Sequence, residues 1–379
     1  IDSSRQNVGI DYHGQTSRSD FMVRAYYNQL EKKDNTYQDA EQGPAVSDFD
    51  RARYRTFVLD GKDTTRLSSK HQLTAGGEYR YLDYRGTRLV GYGDNAREIH
   101  VGDITKTQSE REMHFSSFYV QDEWTPTEKL LIIPSVRYDD SSQFGSYTAP
   151  KIGLTYKIED HLRMKVNYGR GFRAPTLSEL YMYFDGSVMM TLPPGVIYIV
   201  GNPDLQPEKS LGYDVSLEGE WGRNFGKVTW FHNHVNNLIS YHNISAANES
   251  PMILQYYNVG SARLQGVEAE GGRDLTERWT LKGTWNYLDA WDEEENTRLN
   301  MRARHYGTVQ LLYNDRKENG ISGVLWLQFT NDYLYNSKNY SYRMLNISLN
   351  RKWNQQLSTF VGIDNLLNKN LKTRYISGR

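Results

Sequence analysis

The sequence predicts an all-β protein: a transmembrane antiparallel β-barrel of about 16 strands. Three observations predict it. Apolar and polar residues alternate with period two along almost the whole chain. The connectors switch between short and long. Aromatic residues are plentiful, with 29 Tyr and 8 Trp, in a chain whose mean hydropathy is only −0.74.

The alternation is plainest in four stretches. In "EKLLIIPSVRYDD", Leu130, Ile132, Pro134, Val136 and Tyr138 share one face, while Ile133, Ser135, Arg137 and Asp139 share the other. "YTAPKIGLTYKI" sets Pro150, Ile152, Leu154 and Tyr156 against Lys151, Gly153, Thr155 and Lys157. "SLGYDVSLEGEW" sets Leu211, Tyr213, Val215 and Leu217 against Asp214, Ser216, Glu218 and Glu220, and "WTLKGTWNYLDA" repeats the pattern. Each run has about the 9–11 residues that cross a bilayer as a tilted strand, and no segment shows a competing helical period.

Short connectors are expected near 14–18, 62–69, 125–128, 157–161, 222–226, 272–277, 314–320 and 351–356. Longer ones are expected near 31–50, 84–110, 140–147, 172–207, 240–252, 289–299 and 333–341. One trimmed rim and one elaborated rim are the mark of an outer-membrane barrel, where short turns face the periplasm and long loops face outward. Trp124, Trp221, Trp279 and Trp353 all fall beside short turns, where an interfacial girdle would run. A polar lumen accommodates Lys151, Lys157, Glu218 and Glu220 facing inward.

Composition excludes several classes. With 45 Lys plus Arg against 46 Asp plus Glu, no global charge points to nucleic acid. Without cysteine there are no disulfides or thiolate metal sites. No nucleophile–base set, phosphate-cradling loop or paired-carboxylate signature suggests an enzyme. The opening "IDSSRQNVGIDYHG" lacks the features of a signal peptide, so the chain start is expected to differ from the gene start.

Two stretches stand out, "GRGFRAPTLSELY" (169–181) and "GNPDLQPEKS" (201–210). Pro175 ends a strand and pushes Ala174 toward extended geometry. In the second stretch, Asn202 and Asp204 beside Pro203 are turn formers. These stretches resemble the paired FRAP and NPDL boxes of TonB-dependent outer-membrane receptors, particularly the haem and siderophore branches. "SSFYVQDEWTPTEKLLIIPSVRYD" (116–139), "YYNVGSARLQGVEAEG" (256–271) and "FVGIDNLLNKN" (360–370) resemble further landmarks of that family, in the family's order. The resemblance implies a barrel domain across 1–379 with about 16 of an expected 22 strands. The plug and first strands would lie before Ile1, and the last strand after Arg379. It also implies TonB as an energy-transducing partner acting through the plug segment, outer-membrane lipid around the wall, and localisation in the outer membrane of a Gram-negative bacterium.

The boxes bracket a long external loop holding Tyr181, Met182, Tyr183, Phe184, Met189, Met190 and Tyr198. Aromatic and Met side chains suit a large, flat or aromatic iron complex, and Arg170 or Arg173 suits its carboxylates or catecholates. The same residues would also serve to pack the loop on its neighbours. Phe172, Pro175, Asn202, Pro203, Asp204 and Leu205 are expected to be structural. No cofactor is expected beyond the transported ligand, a ferric siderophore or haem. The loop has no His for haem, leaving His100 in the 84–110 loop as a weak candidate ligand. His232 and His234 are expected to point into the polar lumen. The acidic run "DAWDEEENT" (289–297) reads as a solvated loop, with calcium as the alternative. Alternatives to iron uptake are a passive porin or glycan channel and a cobalamin-type receptor, and exposed loops also suit phage or bacteriocin attachment.

Overall fold

A computed structural model describes residues 2–38, 45–89, 96–187, 195–246, 249–335 and 337–369. The strands are β1 (Asp2–Gln15), β2 (Ser19–Gln38), β3 (Ala45–Arg66), β4 (His71–Gly86), β5 (Arg97–Val101), β6 (Ile104–Thr127) and β7 (Leu130–Ser141). They continue as β8 (Gly145–Glu159), β9 (Leu162–Arg173), β10 (Tyr183–Asp185), β11 (Ile197–Val200), β12 (Glu208–Trp221), β13 (Asn224–Asn243) and β14 (Met252–Asp274). The last are β15 (Trp279–Asp292), β16 (Thr297–Arg298), β17 (Arg302–Asn314), β18 (Ile321–Tyr335), β19 (Lys338–Lys352) and β20 (Ser358–Ile363). One short helix, α1 (Leu177–Tyr181), lies between β9 and β10.

Of these 20 strands, β5, β10, β11 and β16 lie in connections. The rest form the wall, each antiparallel to the next from β1 through β9, then β12 to β15, then β17 to β20. The wall strand count agrees with the sequence expectation. Among the described residues β1 pairs only with β2, and β20 only with β19.

The two faces separate by chemistry. On one, Phe118 sits opposite Tyr138, Ile152 opposite Tyr168, and Tyr168 opposite Tyr213, all well exposed. Such an apolar, exposed face is stable only against lipid. On the other face Arg163, Glu218, Lys227 and Glu270 stand opposite one another across β9, β12, β13 and β14. The signs alternate, so each carboxylate meets a cation across the strand, a favourable pairing of about 0.2–1 kcal/mol.

The eight connectors expected to be short all join the wall at one rim, since each closes the same end of an antiparallel pair. Residues 222–223 form a two-residue hairpin loop, with Gly222 at φ +58°. Trp124, Trp221, Trp279 and Trp353 lie exposed beside turns of this rim, as a girdle requires.

The opposite rim differs from expectation. The segment 140–147 is a tight turn between Ser141 and Gly145, and 333–341 is mostly strand up to Tyr335 and again from Lys338. Likewise 31–50 is largely the extension of β2 and β3, where Glu31 faces Arg53 and Lys33 faces Arg51. Beyond the bilayer a hairpin keeps its ladder in water with charged residues on both faces, so no change of composition marks where the membrane ends. The reading of these stretches as loops fails for that reason.

Candidate functional site

The long connection 174–207 starts and ends at one ionic junction. Arg173, the last residue of β9, donates to Glu208, the first of β12, at 2.7 Å and to Glu179 at 3.0 Å. Glu179 closes a capping box on α1: it accepts from Thr176 N at 2.7 Å, while Thr176 Oγ1 accepts from Glu179 N at 3.1 Å. Glu208 also accepts from Ile239 N on β13 at 2.9 Å. Burial opposes ionisation of Glu208, yet the bonds from Arg173 and Ile239 outweigh it and hold the carboxyl below its ordinary range. Glu208 first, and then Glu179, raise the already basic Arg173 guanidinium.

From this junction α1 turns inward. Leu177 joins a buried cluster with Ala52, Tyr84, Leu89 and Met113, and Tyr181 packs against it. Gly201 lets the chain return alongside the helix: a Cβ there would lie 2.6 Å from Leu180 C, Tyr181 N and Met182 N. Its amide donates to Met182 O at 2.7 Å, and the next, Asn202 N, to Glu179 O at 2.9 Å.

Between these ends the connection builds a ribbon. Met182 bridges to Leu89 beyond β4, β10 pairs antiparallel with β11, and β11 pairs parallel with the upper part of β14, Ile197 opposite Met252 through Val200 opposite Gln255. In the wall, β4 and β14 are separated by β6 to β9, β12 and β13, so the ribbon is a chord across the mouth. Asp185 ties its turn by accepting from Ser187 N at 3.0 Å and Gly195 N at 2.7 Å. Burial opposes ionisation of Asp185, but these bonds keep its carboxyl low. Beside α1 lies a cavity of about 840 Å³, lined among others by Thr176, Leu177, Tyr84, Met113, Arg137 and Lys151.

The structure distributes the residues singled out from sequence unevenly. Tyr183, 50% exposed, stacks on Tyr198 at 5.3 Å between centroids. Phe184 lies under the Arg88 guanidinium at 3.9 Å and Tyr181 under that of Arg111 at 5.0 Å. Met182 is the C-cap of α1. Arg170 is exposed, on the face of β9 that carries Tyr168. Phe172 stacks on Tyr147 at 4.9 Å. Pro175 and Leu205 are fully buried, and Asn202 Oδ1 accepts from Asp204 N at 2.9 Å beside the exposed Pro203. Met189 and Met190 lie outside the described residues.

His100, on β5, is exposed, and its Nδ1 lies 2.7 Å from Thr105 Oγ1. His232 and His234 do not point into the lumen. They alternate with Trp230 onto the outer face, where His232 stacks on Tyr213 at 4.9 Å; an imidazole fits an aromatic belt as readily as a polar interior. In the acidic loop, Asp292 Oδ1 accepts from Glu294 N and Glu295 N, each at 3.0 Å. Glu293 accepts from Ser261 Oγ at 2.7 Å, and Glu294 from Gly260 N at 3.1 Å. Among the described residues no three His, Cys, Asp or Glu are grouped to hold a metal ion.

Sequence reasoning missed α1, although Thr176-Leu-Ser-Glu179 spells a capping box. It also missed Glu179, the acid of that box, and Glu208 and Asn258, whose roles depend on partners distant in sequence.

The comparisons agree with this architecture. The family described as "TonB dependent receptor-like, beta-barrel" matches residues 1–366. The protein named Probable TonB-dependent siderophore receptor PirA from Acinetobacter baumannii is 25% identical over 324 residues, covering 74% of this chain and 42% of that protein. The vitamin B12 transporter BtuB of Photobacterium profundum is 25% identical over 299 residues, covering 77% and 44%. The chain thus spans less than half the length of these relatives. The crystal structure of the siderophore receptor PirA from Pseudomonas aeruginosa superimposes with a TM-score of 0.74 at 19% identity, covering 98% of this chain and 62% of that one. With a wall of antiparallel strands, an apolar outer face and the two boxes joined at one ionic junction, the chain belongs to the TonB-dependent receptor family, within its β-barrel domain.

Proposed function

We propose that the chain is the ligand-facing part of an outer-membrane receptor that binds an anionic iron chelate, a ferric siderophore, at its external loops and imports it to the periplasm with energy relayed through TonB. The observation that carries this reading is the stacked pair of exposed Tyr183 and half-buried Tyr198, held on a chord across the mouth between residues engaged by Arg88 and Arg111. Stacked phenols offer an aromatic face, and guanidiniums pair with catecholates or carboxylates. Tyr181, Met182, Phe184, Met189 and Met190 belong to the same proposed surface, with Arg173 at the junction beside it, whereas Arg170, expected from sequence to join them, shares the outer face of β9 with Tyr168. The relatives named above include a siderophore receptor, which supports the choice of chelate.

A second reading is cobalamin uptake, favoured by the equal identity to a B12 transporter. Haem is the third, for which the sequence offered His100, and the phenolates of Tyr181 or Tyr183, as candidate ligands. The surrounding outer-membrane lipid of a Gram-negative cell, and phage or bacteriocin attachment to the outer rim, follow from the same placement. The test is growth of the host on single iron sources with and without the gene. Loss of growth on one ferric siderophore alone supports the proposal. Unchanged growth on every siderophore, with loss on haem or of cobalamin-dependent growth, replaces it with the corresponding alternative.

A further inference from the structure

The second box is held by a residue about fifty positions away. Asn258, on β14, bonds both backbone polar groups of one residue in the box: its Oδ1 accepts from Gln206 N at 2.8 Å and its Nδ2 donates to Gln206 O at 2.9 Å. The same Nδ2 donates to Asn237 O on β13 at 2.7 Å. Asn237 is in the left-handed region, φ 57°, and its own amide donates to Pro207 O at 3.4 Å. Asn202 Nδ2 donates to Tyr256 O at 3.1 Å, two residues before Asn258. A side-chain amide that both donates to and accepts from one residue imitates a ladder partner, so residues 202–207 are joined to the wall as a strand would be, without being one. Three of the sequence landmarks therefore meet here: the first box through Arg173, the second through Gln206 and Glu208, and the "YYNVG" stretch through Asn258.

We propose that Asn258, backed by Asn237, is a positioning residue that fixes where β11, and with it Tyr198 and its partner Tyr183, sits over the mouth. This rests on the reading of that aromatic pair as ligand-facing. The residues just after β11 are tied through Asn202 and Gln206, whereas β11 itself has only four residues on β14. Releasing the box therefore loosens the end from which the ribbon is hung. Only an amide satisfies all three bonds. An isosteric carboxylate keeps the acceptor for Gln206 N but sets negative charge against the carbonyls of Gln206 and Asn237.

The test uses full-length receptor in lipid nanodiscs with N258D, N258A as a second truncation, and S261A as a control whose hydroxyl bonds Glu293 instead of the box. Amide hydrogen exchange without ligand is read at Asn202, Leu205 and the β11 amides. Binding of a ferric tris-catecholate probe and the melting of the wall are read on the same samples. N258D is expected to speed exchange at those amides at least tenfold and weaken probe binding about tenfold, with wall melting and S261A unchanged. N258A is expected to match it. Exchange within twofold of wild type in both variants overturns the positioning role, as does a loss of wall stability that accounts for every change. If wild type binds no probe, the functional reading fails while the exchange measurement still decides the role of Asn258.

Discussion

Replacing Gly201 with Ala tests the packing of the external segment by a single methyl group. Gly201 has no positive φ, so alanine brings no backbone strain of the left-handed kind. The cost is purely steric. The new Cβ would meet Leu180 C, Tyr181 N and Met182 N, all at 2.6 Å. Contact between such atoms becomes ordinary at about 3.5 Å, so α1 or the returning strand must withdraw by about 1 Å. The obstruction is backbone, which cannot rotate away as a side chain would, and overpacking of this kind costs about 1–3 kcal/mol. Withdrawal breaks the bonds from Gly201 N to Met182 O and from Asn202 N to Glu179 O. If local opening of this segment governs exchange of those amides, protection falls by about 5- to 150-fold, since every 1.4 kcal/mol is a factor of ten. Hydrogen exchange with mass spectrometry on full-length G201A, resolved to peptides covering 176–206, is the assay. Wall strands should keep wild-type protection. Protection at Asn202 within twofold of wild type would refute the close approach and the account of why the box carries glycine.

Other expectations follow the same logic. E208Q leaves Arg173 with one anionic partner and removes a charged acceptor from Ile239 N, a loss of about 1.5–3 kcal/mol, so the Ile239 amide should exchange faster; no change there argues against the junction. Because the Glu208 carboxyl is depressed in the folded state, its stabilisation is complete above the ordinary carboxylate value and is lost as pH falls through the depressed one. Ile239 protection should therefore be flat through neutrality and fall only in acid, whereas a fall near neutral pH would contradict the pairing. Y198A removes one ring of the stacked pair, worth about 0.5–1.5 kcal/mol, and should weaken chelate binding about 2- to 10-fold without altering the melting of the wall. G266A would drive a Cβ into Tyr287 O between β14 and β15; it should instead lower the stability of the wall itself, read as a lower temperature for heat modifiability on gels, while leaving chelate affinity near wild type.

Period two made the wall legible, because a strand between lipid and lumen must alternate along its length. The stretch 130–139 shows why: Leu130, Ile132, Pro134 and Val136 face outward, opposite Tyr156, Leu154, Ile152 and Pro150 on the next strand. Above the bilayer that constraint ends. Lys32, Lys33 and Asp34 continue β2 as an unbroken run of charge, without the apolar alternation that would betray a strand, so charged ladder and charged loop look alike. The histidines failed for a related reason: polarity suggests the lumen, but position 232 shares its face with Trp230. In the candidate site, the boxes were visible as turn chemistry. Their junction was not, because Arg173 gives no sign in sequence of choosing Glu208 and Glu179 over solvent. Asn258 was quoted within a landmark yet carried no local signature of its work, which is done on a residue of another connection.

The parallel pairing of β11 with β14 gives the external segment a direction of strength. Its few ladder bonds run across from β11 to β14, so a load applied along the strand axis shears them all together. A load applied sideways, from the lumen toward the rim, opens the same bonds one after another, beginning at whichever end is least tied. Residues 202–207 tie one end firmly, while the other meets β14 through the bond from Met252 N to Val196 O at 2.8 Å. The ribbon is therefore built to resist a load along the strand axis and to yield, from the Val196 end first, to one that draws it away from the wall.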